Sequence, residues 1–387
     1  MLTARRAAEI EPFEVMDVLS RAHALERAGR HVVHMEIGEP DFTAPAPVVE
    51  AGVRALREGR TAYTATLGLP ALREAIVAHY AQKFSTAVDG ARVVVTSGAS
   101  GGLLTVSALY VDAGDEVLVP DPGYPGYRHF VRAFEGRARA LPVSAAENFQ
   151  PTLAMVRDAW GARTKGLLLG SPSNPTGTVI AKTELAAIAA FIAERGGVLI
   201  VDEIYQGLSY GLQPWTALGL PGEVVLINSF SKYFCMTGWR LGWAVLPGAA
   251  VRAFEKLAQH LFISAPAAAQ YAACAAFTPE SLGVLEERRR EFARRRDFLL
   301  PVLKEAGLAV PAEPHGAFYI YADCRGDARE FCLRLLEKEA VAATPGIDFG
   351  ANGTDRYVRF AYTRAMADLE EAASRIKRFA AASWPSA

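Results

Sequence analysis

Short apolar segments that alternate with helical segments constrain the fold of this chain more than any other feature. From residue 92 onward, segments of four or five mostly aliphatic residues are each followed by a polar turn and then by a helical pattern. These segments span residues 93–96, 116–119, 166–169, 198–201 and 224–228. Strands that are apolar on both sides need both faces covered, which is typical of a mostly parallel sheet between two layers of helices. The sequence therefore predicts an α/β fold with a large three-layer α/β/α domain, whose ligands bind beyond the carboxyl ends of the strands.

A different pattern begins near Pro279 and predicts a second, smaller α+β domain. Its segments are a charged helix at 280–305, an alternating strand at 317–321, a helix at 327–339, a strand at 357–361, and, in the N-terminal arm, a helix at 15–27 and a strand at 32–37. We therefore expect residues 40–278 to form the large, cofactor-binding domain. Residues 1–39 and 279–387 are expected to form the small one.

Composition excludes several classes of function. The 387 residues are enough for two domains, and a formal net charge of −1 gives no basic surface for nucleic acid. No apolar run approaches the length of a membrane span, and the first ten residues lack the apolar core of a secretion signal. The four cysteines are scattered without a C-x-x-C pair, which suits a reducing compartment and predicts no metal site. We expect a cytoplasmic protein that binds neither nucleic acid nor membrane.

One lysine stands in a setting that favours covalent chemistry. Residues 229–242 read S-F-S-K-Y-F-C-M-T-G-W-R-L-G, so that Lys232 lies between small hydroxyls and aromatic residues. Such surroundings remove water and favour the neutral amine, which a Schiff-base lysine requires. Ser229, Ser231 and Arg240 supply donors for an anion beside it. Taken alone, Lys232 would more simply be a surface lysine after a core strand. The prediction therefore depends on the spacing of the whole motif.

Polar residues also follow the other apolar segments. Asp202 opens the motif D-E-I-Y, and Asn174 lies in S-P-S-N-P-T-G. Taken singly, these residues would be a helix cap and a turn. Residues 97–100 form a turn before a helix, where free backbone amides can hold a phosphate.

The order of these motifs resembles that of the fold-type I aminotransferases of class I/II, which use pyridoxal 5′-phosphate. Between residues 38 and 360 the chain carries, in the order of that family, Y-x-x-x-x-G, G-A-S, P-x-Y, N-P-x-G, D-E-x-Y, S-K-x7-R and R-F. The resemblance implies that Lys232 forms the Schiff base with the cofactor and moves the substrate proton. Asp202 would keep the pyridine nitrogen protonated, while Tyr205 and Asn174 would bond the phenolic oxygen. Tyr124 would stack on the ring.

The same resemblance implies a cradle for the cofactor phosphate. Its members would be Gly98, Ala99, Ser100, Ser229, Ser231 and Arg240. Tyr63 would reach the phosphate of the neighbouring subunit, which implies a homodimer with shared active sites.

Substrate binding is implied by a third group of matches. Arg359 would bind the α-carboxylate of an amino acid, helped by Gly38 and Asn174. The reaction would be transamination between that amino acid and a 2-oxo acid such as 2-oxoglutarate or pyruvate.

The side-chain pocket is expected to be apolar. Met16, Phe13 and Phe318 map near it, and Ser100 stands where aspartate-specific bacterial members of the family carry a lysine. A donor with a neutral side chain is therefore expected.

Three alternatives to an aminotransferase share part of this pattern. Residues 96–102 resemble the glycine-rich loop of a short-chain dehydrogenase, but a long stretch precedes them and no Y-x-x-x-K pair follows. A non-catalytic pyridoxal-binding regulator would require a DNA-binding extension, and none is expected before residue 38. A β-lyase or a ring-closing synthase shares the cofactor motifs, so these motifs alone leave that alternative open.

Overall fold

The computed structural model describes residues 3–10, 12 and 14–384. Its strands are β1 (Val33–His34), β2 (Val93–Thr96), β3 (Glu116–Asp121), β4 (Arg137–Pro142), β5 (Thr164–Gly170), β6 (Val198–Asp202), β7 (Glu223–Ser229), β8 (Gly242–Val245), β9 (Tyr319–Asp323), β10 (Val341–Ala342), β11 (Thr344–Pro345) and β12 (Tyr357–Ala361). The α-helices are α1 (Arg5–Glu9), α2 (Glu14–Arg27), α3 (Ala46–Arg57), α4 (Pro70–Phe84), α5 (Gly98–Tyr110), α6 (Gly126–Ala133), α7 (Leu153–Ala159), α8 (Lys182–Glu194), α9 (Val251–Leu261), α10 (Ala267–Cys274), α11 (Pro279–Glu305), α12 (Ala328–Glu339) and α13 (Met366–Ser383).

The central sheet has seven strands in the order β2-β8-β7-β6-β5-β3-β4. Strand β8 runs antiparallel to β2 and β7, and the other pairs are parallel. Alternate residues of β6 serve opposite faces, as the pleat requires. Val198 and Ile200 pack in the cluster that contains Leu103 of α5, whereas Leu199 packs in the cluster that contains Ile188 of α8. The predicted three-layer, mostly parallel α/β architecture is confirmed.

Two strands of this sheet were not predicted, for different reasons. Strand β4 lies at the sheet edge and exposes most of its side chains, so its sequence carries no continuous apolar run. Strand β8 is buried but short, and it begins at Gly242 inside the lysine motif. A Cβ at Gly242 would lie 2.7 Å from the carbonyl oxygen of Asn228 and 2.9 Å from the amide nitrogen of Ala99. Close backbone packing therefore explains a glycine that resembles a turn signal in the sequence.

A second sheet, in the order β11-β12-β9, is antiparallel, and β1 pairs in parallel with β10. The N-terminal arm therefore lies beside the C-terminal part of the chain. The predicted strand at 32–37 is shorter than expected, because only Val33 and His34 form ladder pairs. The division at residues 40 and 279 remains a prediction, since one apolar cluster contains both Trp243 and Phe331.

Several polar residues meet at the carboxyl ends of the parallel strands of the central sheet, because these strands end on the same side. Ladder pairing places Gly170 beside Asp202, and Gly242 beside both Thr96 and Ser229. This is the edge where ligands bind in open α/β sheets. No helix among the described residues is long and apolar enough to cross a membrane.

Candidate active site

A cavity of about 360 Å³ opens at this edge of the sheet. Its size is within the range of small-ligand and cofactor pockets. The predicted site residues that line it are Met16, Gly38, Ala99, Ser100, Tyr124, Asn174, Asp202, Tyr205, Ser229, Ser231, Lys232, Arg240 and Arg359. Motifs that are far apart in the sequence therefore face one cavity.

Lys232 extends into this cavity from the turn that follows β7. Its Nζ donates a hydrogen bond to the carbonyl oxygen of Gly38 at 2.8 Å and lies 5.9 Å from the ring centre of Tyr205. Burial lowers the pKa of Lys232 to about 8, and Glu39 partly opposes this effect. About a tenth of the Lys232 side chains are thus neutral at about pH 7, far more than for an ordinary lysine, and the neutral amine is the form that attacks a carbonyl carbon.

Asp202 is a buried carboxylate at the end of β6, with 2% of its surface exposed. It accepts hydrogen bonds from the Tyr127 hydroxyl at 2.8 Å and from the Ile204 amide at 3.2 Å. Burial nevertheless raises the pKa of Asp202 to about 6. A ligand that brings a cation to this carboxylate would relieve that cost, as a protonated pyridine nitrogen would.

Tyr127 was missed in the sequence, because nothing local indicates its contact with Asp202. The hydroxyl reaches the carboxylate across the end of β5, where Gly170 leaves room for it. A Cβ at Gly170 would lie 2.6 Å from the Tyr127 oxygen. The role of this glycine can be interpreted only once the fold is known.

Hydroxyl, guanidinium and amide groups converge on the side of the cavity next to the N-terminus of α5. The Ser229 hydroxyl accepts from the Ser231 amide at 3.0 Å, and Arg240 Nη1 lies 3.4 Å from the Ser231 hydroxyl. The free amides at the start of α5 add a positive helix end. These groups suit a phosphate.

Gly98 does not line the cavity, although the sequence placed it in the phosphate cradle. It has a φ of +73°, and an added Cβ would lie 2.6 Å from Arg240 Nη2. Its missing side chain therefore makes room for the arginine.

Arg359 lies on β12 at the other end of the cavity, with 6% of its surface exposed. Its Nη1 donates to Asn174 Oδ1 at 2.9 Å, and its Nη2 donates to the Glu36 carbonyl. Rings of Tyr319 and Phe349 lie 4.5 and 4.8 Å from the guanidinium carbon. Within the described part of the chain, the buried Nε has no hydrogen-bond partner. Arg359 therefore retains donor capacity for a planar anion such as a carboxylate.

Phe318 does not line the cavity, although the sequence placed it in the substrate pocket. Phe318 is fully buried and packs its ring against Phe292 and Tyr205. Its neighbour Tyr319, the first residue of β9, faces the cavity instead. The Tyr319 hydroxyl lies 2.9 Å from the Tyr205 hydroxyl, and a Cβ at Gly38 would lie 1.8 Å from it. The strand predicted at 317–321 begins two residues later, at Tyr319, so that Phe318 lies in the turn before it.

Two further predicted residues lie outside this cluster. Tyr63 is 80% exposed and does not line the cavity, so a single copy of the chain does not bring it to the site. Phe13 lies outside the described residues. Met16 lines the cavity from α2 while 55% of its surface is exposed.

The geometry defines an α/β enzyme with an amine, a buried carboxylate, an anion cradle and an arginine around one cavity. Residues 30–376 match the family model described as aminotransferase class I and II. The chain belongs to this family and is an aminotransferase; members of the family use pyridoxal phosphate.

Relatives in this family cover almost the whole chain. The (5-formylfuran-3-yl)methyl phosphate transaminase of Methanocaldococcus jannaschii is 39% identical over 98% of this chain and 99% of its own. The valine–pyruvate aminotransferase of Mycobacterium tuberculosis is 39% identical over 95% of this chain and 96% of its own. The structure of Thermus thermophilus aspartate aminotransferase with maleate superposes with a TM-score of 0.92 at 34% identity, covering 98% and 99% of the two chains. These relatives differ in substrate, so the family alone does not fix the substrate of this chain.

Proposed function

We propose that this aminotransferase binds pyridoxal 5′-phosphate covalently through Lys232. It would transfer the amino group of an amino acid with a neutral side chain to a 2-oxo acid such as 2-oxoglutarate or pyruvate. The observation that carries the proposal is that the Lys232 amine, the buried Asp202 carboxylate and the Arg359 guanidinium share one cavity.

The residues present fit this cofactor. Asp202 is buried, and burial raises its pKa, so that it would pair with the protonated pyridine nitrogen. Tyr124 would cover the ring. Tyr205 and Asn174 would bond the phenolic oxygen. The phosphate would lie among the amides of Ala99 and Ser100, the hydroxyls of Ser229 and Ser231, and Arg240. When bound, the cofactor supplies an electron sink that acidifies the Cα–H bond of the amino acid.

Lys232 would carry the proton in this reaction. Its free amine would remove the proton from the substrate Cα as a general base. The Gly38 carbonyl orients Nζ through the 2.8 Å hydrogen bond. A pKa of about 8 is close to the operating pH, where general-base catalysis is most effective.

Arg359 would hold the substrate by its α-carboxylate. The rings of Tyr319 and Phe349 pack against the guanidinium, and burial strengthens a charge-assisted bidentate pair. This clamp would set the orientation of the Cα–H bond relative to Lys232.

The lowered pKa of Lys232 predicts how cofactor loading depends on pH. Only the neutral amine attacks the aldehyde, so the loading rate of the apoprotein should rise about tenfold per pH unit below about pH 8 and then level off. Stopped-flow absorbance with pyridoxal phosphate measures this rate. Free Nα-acetyl-lysine, whose side chain has a pKa of about 10.4, is the control. Its rate of reaction with pyridoxal phosphate should still be rising at about pH 9. A loading rate that is independent of pH from about 6 to about 9 would contradict this prediction.

Apolar residues on the side of the cavity that α2 covers support the proposal of a donor with a neutral side chain. The lining there consists of Val15, Met16, Leu19 and Ile37. Ser100 offers no charge for a second carboxylate. A panel of amino acids with each 2-oxo acid, followed by identification of the keto acid formed, tests the proposal. A β-lyase would instead release ammonia without any acceptor.

We also propose that the active unit is a homodimer in which Tyr63 completes the site of the partner subunit. Helix α3 exposes apolar side chains on one stripe, with Val49 and Val53 each 40% exposed and Leu56 59% exposed. The loop with Tyr63 follows this helix, and the Gln270 side chain fastens it by donating to the Thr64 hydroxyl at 2.9 Å. A contiguous apolar stripe beside a highly exposed tyrosine is typical of an interface.

Mixing two inactive variants tests the shared site. Lys232→Ala and Tyr63→Ala homodimers should each be inactive or strongly impaired, whereas mixed dimers would contain one intact site and regain part of the activity. The two proteins should be unfolded and refolded together, with separately refolded proteins as the control. A fully active monomer by sedimentation, or no recovery in confirmed mixed dimers, would contradict the shared site.

A further inference from the structure

Tyr319 contacts two residues that have a place in the proposed function, Tyr205 and Arg359. It is the first residue of β9, it lines the cavity, and it is 1% exposed. It was not singled out in the sequence, and the proposed function gives it no role. Its hydroxyl contacts Tyr205 and its ring contacts Arg359, so the two contacts can be removed separately.

The hydroxyls of Tyr319 and Tyr205 form a buried pair, with their oxygens 2.9 Å apart. Burial raises the pKa of both phenols, so both hydroxyls keep their hydrogens near neutral pH. A hydroxyl has a single hydrogen to donate and accepts through its lone pairs. One of the two hydrogens therefore joins the pair, and the other can be donated to an acceptor in the cavity.

The contact expected with the cofactor decides which hydroxyl donates within the pair. Tyr205 would bond the phenolic oxygen of pyridoxal phosphate, and this oxygen can only accept when it is deprotonated. Tyr205 then donates its single hydrogen to the cofactor, so Tyr319 must donate to Tyr205. Because hydrogen bonds in a chain polarise one another, this second bond makes Tyr205 a stronger donor.

Close packing holds the Tyr319 hydroxyl in place for this role. A Cβ at Gly38 would lie 1.8 Å from the hydroxyl oxygen, so a side chain at that position would displace it. The carbonyl of the same glycine accepts the hydrogen bond from Lys232. The Tyr319 hydroxyl is therefore enclosed between Tyr205 and the backbone segment that orients the lysine.

The ring of Tyr319 supports Arg359 on the substrate side of the cavity. In the ladder between β9 and β12, Tyr319 lies opposite Ala361, and Tyr321 lies opposite Arg359. Arg359 is thus a diagonal neighbour of Tyr319 on the same face of the sheet, and its guanidinium carbon lies 4.5 Å from the ring centre. A guanidinium is attracted to the face of an aromatic ring, most strongly where water is excluded.

We propose that Tyr319 is a positioning residue with two separate actions. Its hydroxyl acts through Tyr205 on the phenolic oxygen of the cofactor, and its ring acts through Arg359 on the α-carboxylate of the substrate. This inference rests on the proposed function and deepens it, because it adds a residue that connects the cofactor side of the site to the substrate side.

The variant Tyr319→Phe removes the hydroxyl and keeps the ring. The nitrogen that joins Lys232 to the cofactor gains or loses a proton with pH, and the visible absorbance of the loaded protein follows this change. A hydrogen bond to the phenolic oxygen stabilises its negative charge and so weakens the hold on that proton. Tyr319→Phe should therefore raise the pKa read from the absorbance, in the same direction as Tyr205→Phe but by less. With alanine and pyruvate, kcat should fall about threefold, while the KM for alanine stays within about twofold.

The variant Tyr319→Leu removes the ring as well and tests the second action. Arg359 then loses its aromatic support, so the KM for alanine should rise about tenfold above that of Tyr319→Phe. Tyr321→Phe is the matched control for both variants. Tyr321 is buried on the same strand, and its hydroxyl has no hydrogen-bond partner in the described part of the chain. Its replacement should leave the absorbance and the kinetic constants unchanged.

A double-mutant cycle separates the proposed action from a general structural effect. If the Tyr319 hydroxyl acts through Tyr205, adding Tyr319→Phe to Tyr205→Phe should not shift the pKa read from the absorbance any further. Shifts that add in the double variant, or no shift in Tyr319→Phe alone, would overturn the action of the hydroxyl. An unchanged KM in Tyr319→Leu would overturn the action of the ring. Failure of the proposed function is different, since the wild type would then show no visible band with pyridoxal phosphate.

Discussion

Replacing Lys232 by alanine is expected to lower transamination at least about a thousandfold and to abolish covalent attachment of the cofactor. The side chain supplies both the amine that attaches the cofactor and the base that removes the Cα proton. Among the residues that the structure describes, no other lysine lines the cavity. Initial rates with alanine and pyruvate, together with the visible absorbance of the purified protein, measure the two effects.

Lys256→Ala is the matched control for this variant. Lys256 is an exposed lysine on α9 and does not line the cavity, so its replacement should leave rate and absorbance unchanged. A Lys232→Ala protein with the wild-type absorbance band and normal turnover would show that the cofactor is attached elsewhere.

Replacing Asp202 by asparagine is expected to lower kcat about a hundredfold or more, because removal of a preorganised charge has effects of this size. Asparagine has the shape of aspartate but cannot hold a proton on the pyridine nitrogen. Cofactor loading should persist, since Lys232 and the phosphate cradle are unchanged. Single-turnover kinetics with the loaded variant separate the chemical step from loading.

Stability measurements on the apoprotein check that this loss is chemical. The pKa of Asp202 is raised by burial from its ordinary 3.8 to about 6, so the folded state holds its proton more tightly than the unfolded state. This group's contribution to stability is full below about 3.8 and is lost as the pH rises through about 6. Asp202→Asn should lack that component of the pH dependence, whereas exposed Asp158→Asn should keep it. A near-normal kcat in Asp202→Asn would show that Asp202 has only a structural role.

The fold was largely predictable because its central strands are buried on both faces. Residues 93–95, 198–201 and 224–227 are apolar throughout, and each segment lies within a strand of the central sheet. Strand β4 could not be predicted in this way, since its edge position exposes its side chains. Strand β8 was not predicted because its first residue, Gly242, resembles a turn residue in the sequence. In the structure, close backbone packing explains this glycine.

The site was predictable where a residue lies in a local motif, and unpredictable where long-range contacts define its role. Lys232, Asp202 and Arg359 each follow from a motif and line one cavity. Tyr127 is significant only because the fold brings it to Asp202. Such contacts span parts of the chain that no sequence window contains.

Reduction of the loaded protein with borohydride, followed by peptide mapping, tests the central claim most directly. Borohydride fixes the cofactor to the nitrogen that carries it, so the attachment site can be read by mass spectrometry. The account predicts one equivalent of phosphopyridoxyl label per chain on the peptide that contains Lys232, and none when the amino-acid donor is added before reduction. A label on any other lysine, or a protein that retains no label, would contradict it.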